Sequence, residues 1–256
     1  MGRVYLIGAG PGAADLITVR GAELLKRADI VFYDALVQPD MLALAPQARQ
    51  VAVGKRCSRI STDQLFINRN LIEAAAKFEI VVRLKGGDPM LFGRAQEEIE
   101  ALEAAGVACE VVPGVTSALA ASAELGVSLT GRGVSRSVVF ATPRVGEGED
   151  VSDWAPAVAK ADTAVLYMAV GQAAQIATIL QAQGMPVSTP VVLVENASLP
   201  NSRHIGTTLQ GLKNGVAQGL AGPALLLFGD VFRKRAHALI GQEILTDPNP
   251  LQAVPR

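Results

Sequence analysis

Short apolar runs alternate, through the first half of the chain, with stretches whose apolar residues recur at helical spacing. Residues 4–7, 30–33, 50–53, 80–84 and 108–112 read as strands, each stopped by Gly, Asp, Pro or a Lys-Gly-Gly turn. Between them, residues 20–28, 38–44, 64–77 and 96–105 read as helices. Thr18 is placed to cap the first of these, and Gly106 to stop the last. Such alternation predicts a mostly parallel sheet covered by helices. Beyond Gly114 the texture changes. A small-residue helix at 116–124 leads to a Gly-, Arg- and Ser-rich segment at 128–137. Further strands are predicted at 137–141, 163–168, 190–194 and 224–229, with helices at 173–183 and 209–218 and an exposed acidic loop at 147–153. The pattern divides into α/β domains at 1–114 and 115–243, followed by an irregular Pro-containing tail at 244–256.

Composition narrows the class. With 256 residues, 50% apolar and 18% charged, the chain can bury substantial cores. No signal-peptide core fits the start, and Gly, Pro or a charge interrupts every apolar stretch before membrane length. Cys57 and Cys109 stand far apart without companions at metal-ligand spacing, as in a reduced cytoplasmic protein. A net charge of −1 supplies no global field for nucleic acid or a membrane surface. Local cationic groups remain at Lys55, Arg56 and Arg59, at Arg83 and Lys85, and at Arg132, Arg136 and Arg144. They read either as solvated surface or as anion contacts. His204 and His237 have no acid at triad-like spacing, which argues against histidine catalysis.

The opening loop imitates a dinucleotide fingerprint. Gly8, Gly10 and Ala13 satisfy G-x-G-x-x-G/A, and Asp34 ends the second apolar run where a ribose-binding acid belongs. Pro11 interrupts the turn, however, and the helix cap at Thr18 comes late. A pyrophosphate there would miss the first helical N–H groups. Residues 83–94, RLKGGDPMLFGR, form a second glycine loop between strand and helix, without the Gly-Lys-Ser/Thr of a Walker loop. A third, PGVTS, follows the next strand at 113–117. Three Gly/Pro-rich loops at three strand ends predict a shared pocket.

Several blocks then fix a resemblance: GAGPG at 8–12, YDALV at 33–37, VGKR at 53–56, VVRLKGGDPMLFGRAQEE at 81–98, the segment 111–133, LYMAV at 166–170, VENAS at 194–198 and GPALLLFGDV at 222–231. The sequence resembles the tetrapyrrole methylase family and, through YDALV, VGKR and FGRAQEE together, its members that methylate uroporphyrinogen III. The resemblance implies S-adenosylmethionine as cofactor, S-adenosylhomocysteine as product and no metal. It implies methylation at C2 and C7 to give precorrin-2, by a cytoplasmic homodimer. It also implies two α/β domains, the second with a mixed sheet, and an active-site cleft between them. Carried over by position, cofactor contacts fall on Pro11, Gly86, Gly87, Asp88, Leu91, Thr116, Ser117, Met168 and Ala197, joined by backbone at Gly222, Pro223 and Ala224.

Methyl transfer from a sulfonium to a pyrrole carbon depends on positioning and on a base that relieves the ring of a proton. The resemblance marks Asp34 as proton acceptor and Lys55 as proton donor or substrate-binding cation. It marks Arg94 and Glu97 as catalytic or substrate-binding. Those two lie three apart at a helix start and share a face, which also suits a local salt bridge. The eight carboxylates of uroporphyrinogen give purpose to arginine forks at Arg56, Arg132, Arg136 and Arg144. Thr142-Pro143-Arg144 stands where many relatives have Thr-Gly-His, and Ala35 where some have Arg. The alternatives are a methylase of a later corrin precursor, a nucleotide-dependent oxidoreductase and a non-enzymatic tetrapyrrole carrier.

Overall fold

β1 (Arg3–Gly8) starts a sheet whose strands all run the same way. The computed structural model describes residues 1–54, 64–145, 152–240 and the backbone of 244–245. Lys55, Arg56, Cys57, Arg59, most of the acidic loop and the tail from 246 lie outside the described residues. The chain divides into units Met1–Ser117 and Ala118–Arg256.

In the first unit, β1 leads to α1 (Val19–Leu25), β2 (Ile30–Tyr33), α2 (Pro39–Leu42), β3 (Arg49–Ala52), α3 (Gln64–Ala75), β4 (Ile80–Lys85), α4 (Ala95–Ala104) and β5 (Cys109–Val112). Strand order is β3-β2-β4-β1-β5, with every pairing parallel. All carboxyl ends, and so all the glycine loops, therefore meet at one edge, where open α/β sheets hold ligands. Both faces are covered. Val4, Leu6 and Val81 pack with Leu71 and Leu102 of α3 and α4, while Ile7, Val82 and Leu84 pack with Leu25 and Met41 of α1 and α2. Thr18 does cap α1, its Oγ1 accepting from Gly21 N–H at 3.2 Å.

The second unit contains α5 (Ser117–Leu125), β6 (Val138–Ala141), α6 (Trp154–Lys160), β7 (Thr163–Leu166), α7 (Ala173–Ala182), β8 (Pro190–Glu195), β9 (Arg203–Thr208), α8 (Leu209–Lys213), β10 (Ala224–Gly229), α9 (Arg233–Leu239) and β11 (Ile244–Leu245). Its sheet runs β11-β9-β8-β10-β7-β6, parallel only between β6 and β7 and antiparallel elsewhere, hence mixed. The pairing directions put the carboxyl ends of β6, β7 and β8 and the start of β10 on one edge. Sequence pattern did not predict α6, β9 or α9, and β11 falls in the tail expected to be irregular. β9 escapes a hydrophobic scan because His204 and Gly206 are among its inward-facing residues. Gly206 is required there, since a Cβ would collide with backbone of Ala236 in α9.

Candidate active site

At the carboxyl edge of the first unit, three loops touch through bare backbone. Gly10 and Gly87 exchange two hydrogen bonds, Gly10 N–H to Gly87 O at 3.2 Å and Gly87 N–H to Gly10 O at 2.7 Å. Both have positive φ, 76° and 67°, where glycine is unstrained. A Cβ on Gly8 would lie 2.5 Å from Gly114 Cα, and one on Gly114 would lie 2.7 Å from Gly8 Cα. Asp88 fastens this seam. Its Oδ2 accepts from Gly114 N–H at 2.8 Å and its Oδ1 from Met90 N–H at 2.8 Å. Asp88, expected as a cofactor contact, ties the Gly114 loop to its own through Oδ2 and closes its own turn through Oδ1. Pro11, Leu91, Thr116 and Ser117 stand around the seam, all half-buried.

Beside it lies a charge network that the sequence reading missed. Alternation along β4 turns Val81, Arg83 and Lys85 toward α3 and α4, and both cations are almost fully buried. Glu98, entirely buried on α4, meets them: its Oε1 accepts from Arg83 Nε at 3.1 Å, Lys85 Nζ at 2.9 Å and Gln64 Nε2 at 3.1 Å. Arg83 Nη2 reaches outward to Asp34 Oδ1 at 2.6 Å. Burial works against the Arg83 charge, but the two carboxylates outweigh it and raise its pKa. Lys85 is pushed down, chiefly by burial and then by Arg83, against the pull of Glu98. Arg83 and Lys85 are therefore neither solvated surface charge nor free anion contacts. They are the buried support of Asp34.

Arg94 caps α4 in the left-handed region, φ 55°, and forks onto Glu97, with Nε to Oε1 and Nη2 to Oε2 both at 2.7 Å. Hydrogen bonding from Arg94 holds the Glu97 carboxyl below its usual range. Both side chains are about half exposed, so the pair stands at the surface of the first unit. Burial, with Glu98 and other carboxylates behind it, pushes the Cys109 thiol up to about 11.

On the second unit, Thr142–Arg144, Met168, Ala197 and Gly222–Ala224 converge on the edge defined above. Arg144 Nη1 lies 3.9 Å from Met168 Sδ. Glu195 pins the 221–224 segment by accepting from Ala221 N–H at 2.8 Å and Gly222 N–H at 2.6 Å. Met168, Asn196 and Ser198 have positive φ without being glycine. With Phe92 and Arg94 of the first unit they are the positive-φ non-glycine residues of the described chain, and all five follow strand carboxyl ends. Such strain persists where surrounding contacts enforce it, commonly at ligand sites. Arg132 and Arg136 do not join this edge. Arg136 N–H binds Asp162 ahead of β7, and the turn holding Arg132 is tied to Thr163 through Ser135. They sit at the other end of β6 and β7, about 13 Å away by strand rise.

Among the described residues no group of His, Cys, Asp and Glu is arranged to hold a metal, and no helix is long and apolar enough to cross a membrane. A sequence model of the Tetrapyrrole (Corrin/Porphyrin) Methylases matches residues 3–213. A uroporphyrinogen-III C-methyltransferase of Pseudomonas aeruginosa is 41% identical over 233 residues, covering 91% of this chain and 95% of that protein. The siroheme synthase of Zymomonas mobilis is 42% identical over 231 residues, 90% of this chain but 49% of that protein. The chain thus spans about half the length of the siroheme synthases it matches. A crystal structure of uroporphyrin-III C-methyl transferase from Thermus thermophilus complexed with S-adenyl homocysteine superposes with a TM-score of 0.81 at 42% identity, covering 91% of this chain and all of that one.

Proposed function

The chain belongs to the tetrapyrrole (corrin/porphyrin) methylases, and from that membership we propose that it transfers methyl groups from S-adenosylmethionine to C2 and C7 of uroporphyrinogen III, giving precorrin-2 and S-adenosylhomocysteine. The observation that carries the reading is the glycine seam of Gly8, Gly10, Gly87 and Gly114. It brings the loops after β1, β4 and β5 together through bare backbone, and Lys85 at its root is buried against Glu98. The G-x-G-x-x-A loop aims no helix N-terminus at a pyrophosphate, because α1 begins only at Val19. A sulfonium nucleoside needs none. Leu91 on the first unit, and Met168 and Ala197 on the second, are apolar or thioether side chains of the kind an adenine or S-methyl group favours. The names of the relatives more than 40% identical support uroporphyrinogen III over a later corrin precursor.

When bound, the cofactor supplies an electrophilic methyl group. The chain's own residues do the rest. Asp34, held by Arg83, is the proposed acceptor of the pyrrole proton, and Lys55, by the family resemblance, the proton donor or substrate-binding cation. Arg94 and Arg144, with Arg56, are the forks for substrate carboxylates; Arg132 and Arg136 would serve only a substrate extending to the far edge. A cytoplasmic homodimer belongs to the same proposal and rests on the family resemblance.

Anaerobic incubation with uroporphyrinogen III and methyl-labelled cofactor tests the reading. A doubly labelled product supports it; an unlabelled substrate overturns it. Replacing Arg94 with Ala is expected to lower kcat by about 100-fold, the loss of a charged fork to substrate, while S-adenosylhomocysteine binding stays within about twofold. Calorimetry beside the turnover assay checks both, and lost cofactor binding would move Arg94 into the cofactor site.

A further inference from the structure

We infer that Glu124 is a positioning residue for the cofactor turn at 196–198, acting through the backbone of Ser198 rather than by touching the cofactor itself. The inference rests on the methyltransferase reading, which places Ala197 against S-adenosylmethionine. Ala197 is buried and flanked by two left-handed residues, Asn196 at φ 54° and Ser198 at φ 69°. Left-handed backbone at a non-glycine residue is strained, so surrounding contacts must hold the turn.

Asn196 N–H binds Pro223 O at 2.9 Å, which secures one side. Leu199 N–H binds Asn196 O at 3.0 Å within the turn, and the side chain that reaches the Ser198 amide is Glu124, in the last turn of α5. Its Oε1 accepts from Ser198 N–H, and its Oε2 accepts from Ser202 Oγ at 2.8 Å and His204 Nε2 at 3.1 Å. Ser202 and His204 are fully buried. His204 Nδ1 has no partner among the described residues, so the tautomer with its proton on Nε2 fits, aimed at Glu124. Burial would raise the Glu124 pKa, yet these hydrogen bonds outweigh it and hold the carboxyl below its usual range. A buried Ser–His pair thus fixes a carboxylate whose free oxygen holds the strained amide. No step of methyl transfer needs the pair itself.

The test is S-adenosylhomocysteine binding by calorimetry, with thermal unfolding alongside. E124A is expected to weaken binding about tenfold, and E124Q less, because its amide oxygen still accepts from Ser198 N–H. Ser198→Gly adopts the left-handed turn without strain, so E124A/S198G should recover to within about threefold of wild type. A merely structural role for Glu124 would not respond to Gly at 198. Amide exchange at Ser198, measured in the well-folded E124Q as well as E124A, gives a second readout and should be faster in both. Unchanged binding and exchange in these variants, or no recovery by S198G, overturns the inference. Wild-type protein that fails to bind S-adenosylhomocysteine overturns the methyltransferase reading and takes the inference with it.

Discussion

Gly114→Ala is expected to abolish detectable S-adenosylhomocysteine binding and to destabilise the first unit by about 3 kcal/mol, the upper range of overpacking. The obstacle is space, not backbone conformation: Gly114 is not among the positive-φ residues. A single methyl there would overlap Gly87 O and lie 2.7 Å from Gly8 Cα. Every obstructing atom is backbone, so no side chain can rotate away. The loops after β1, β4 and β5 must separate, which breaks the paired Gly10–Gly87 hydrogen bonds and the Asp88 clasp on Gly114 N–H. Gly171→Ala is the control, with nothing within 4 Å of the added atom and no positive φ. Calorimetry and thermal unfolding should separate the two variants clearly. If Gly114→Ala binds like wild type, the seam is not the cofactor surface.

This loop edge was legible before any coordinates because strand ends are written in local chemistry. β2 ends at Tyr33 as its IVFY run does, and Thr18 caps α1 immediately ahead of its first residue, Val19. The late cap also explains why the G-x-G-x-x-A spacing does not make a dinucleotide site. What stayed hidden depends on pairs far apart in sequence. Arg83 and Lys85 looked like surface cations because their burial is decided by α4. Yet a signal existed. Ala95, Glu98 and Leu102 are the buried residues of α4, spaced three and four apart, so Glu98 lies on the inner stripe. Glu97, about 100° around the helix, points to solvent and to Arg94. Glu124 and His204 are eighty residues apart, and nothing local announces their contact.

Glu98→Gln is expected to be the most destabilising conservative change in the first unit, by about 3 kcal/mol or more. The network of Asp34, Arg83, Glu98 and Lys85 is balanced, two anions against two cations. Removing the Glu98 charge keeps the shape but leaves Arg83 and Lys85 side by side, almost fully buried, with Asp34 as their remaining partner in the network. Arg83 already pushes the Lys85 pKa down, so the two cations repel. Relief requires Lys85 to lose its proton or Arg83 to swing outward, and the latter releases Asp34. Stability of Glu98→Gln should therefore rise with pH as Lys85 deprotonates, since the unfolded chain, at the ordinary value of 10.5, binds that proton more tightly. A fall in Tm of about 10 °C at neutral pH is expected from the size of the loss. Glu98→Leu combined with Lys85→Met restores the balance as a single Asp34–Arg83 pair and should recover most of that loss, with turnover following the recovery of Asp34. If the double variant is no more stable than Glu98→Gln, charge balance is not what holds this network together.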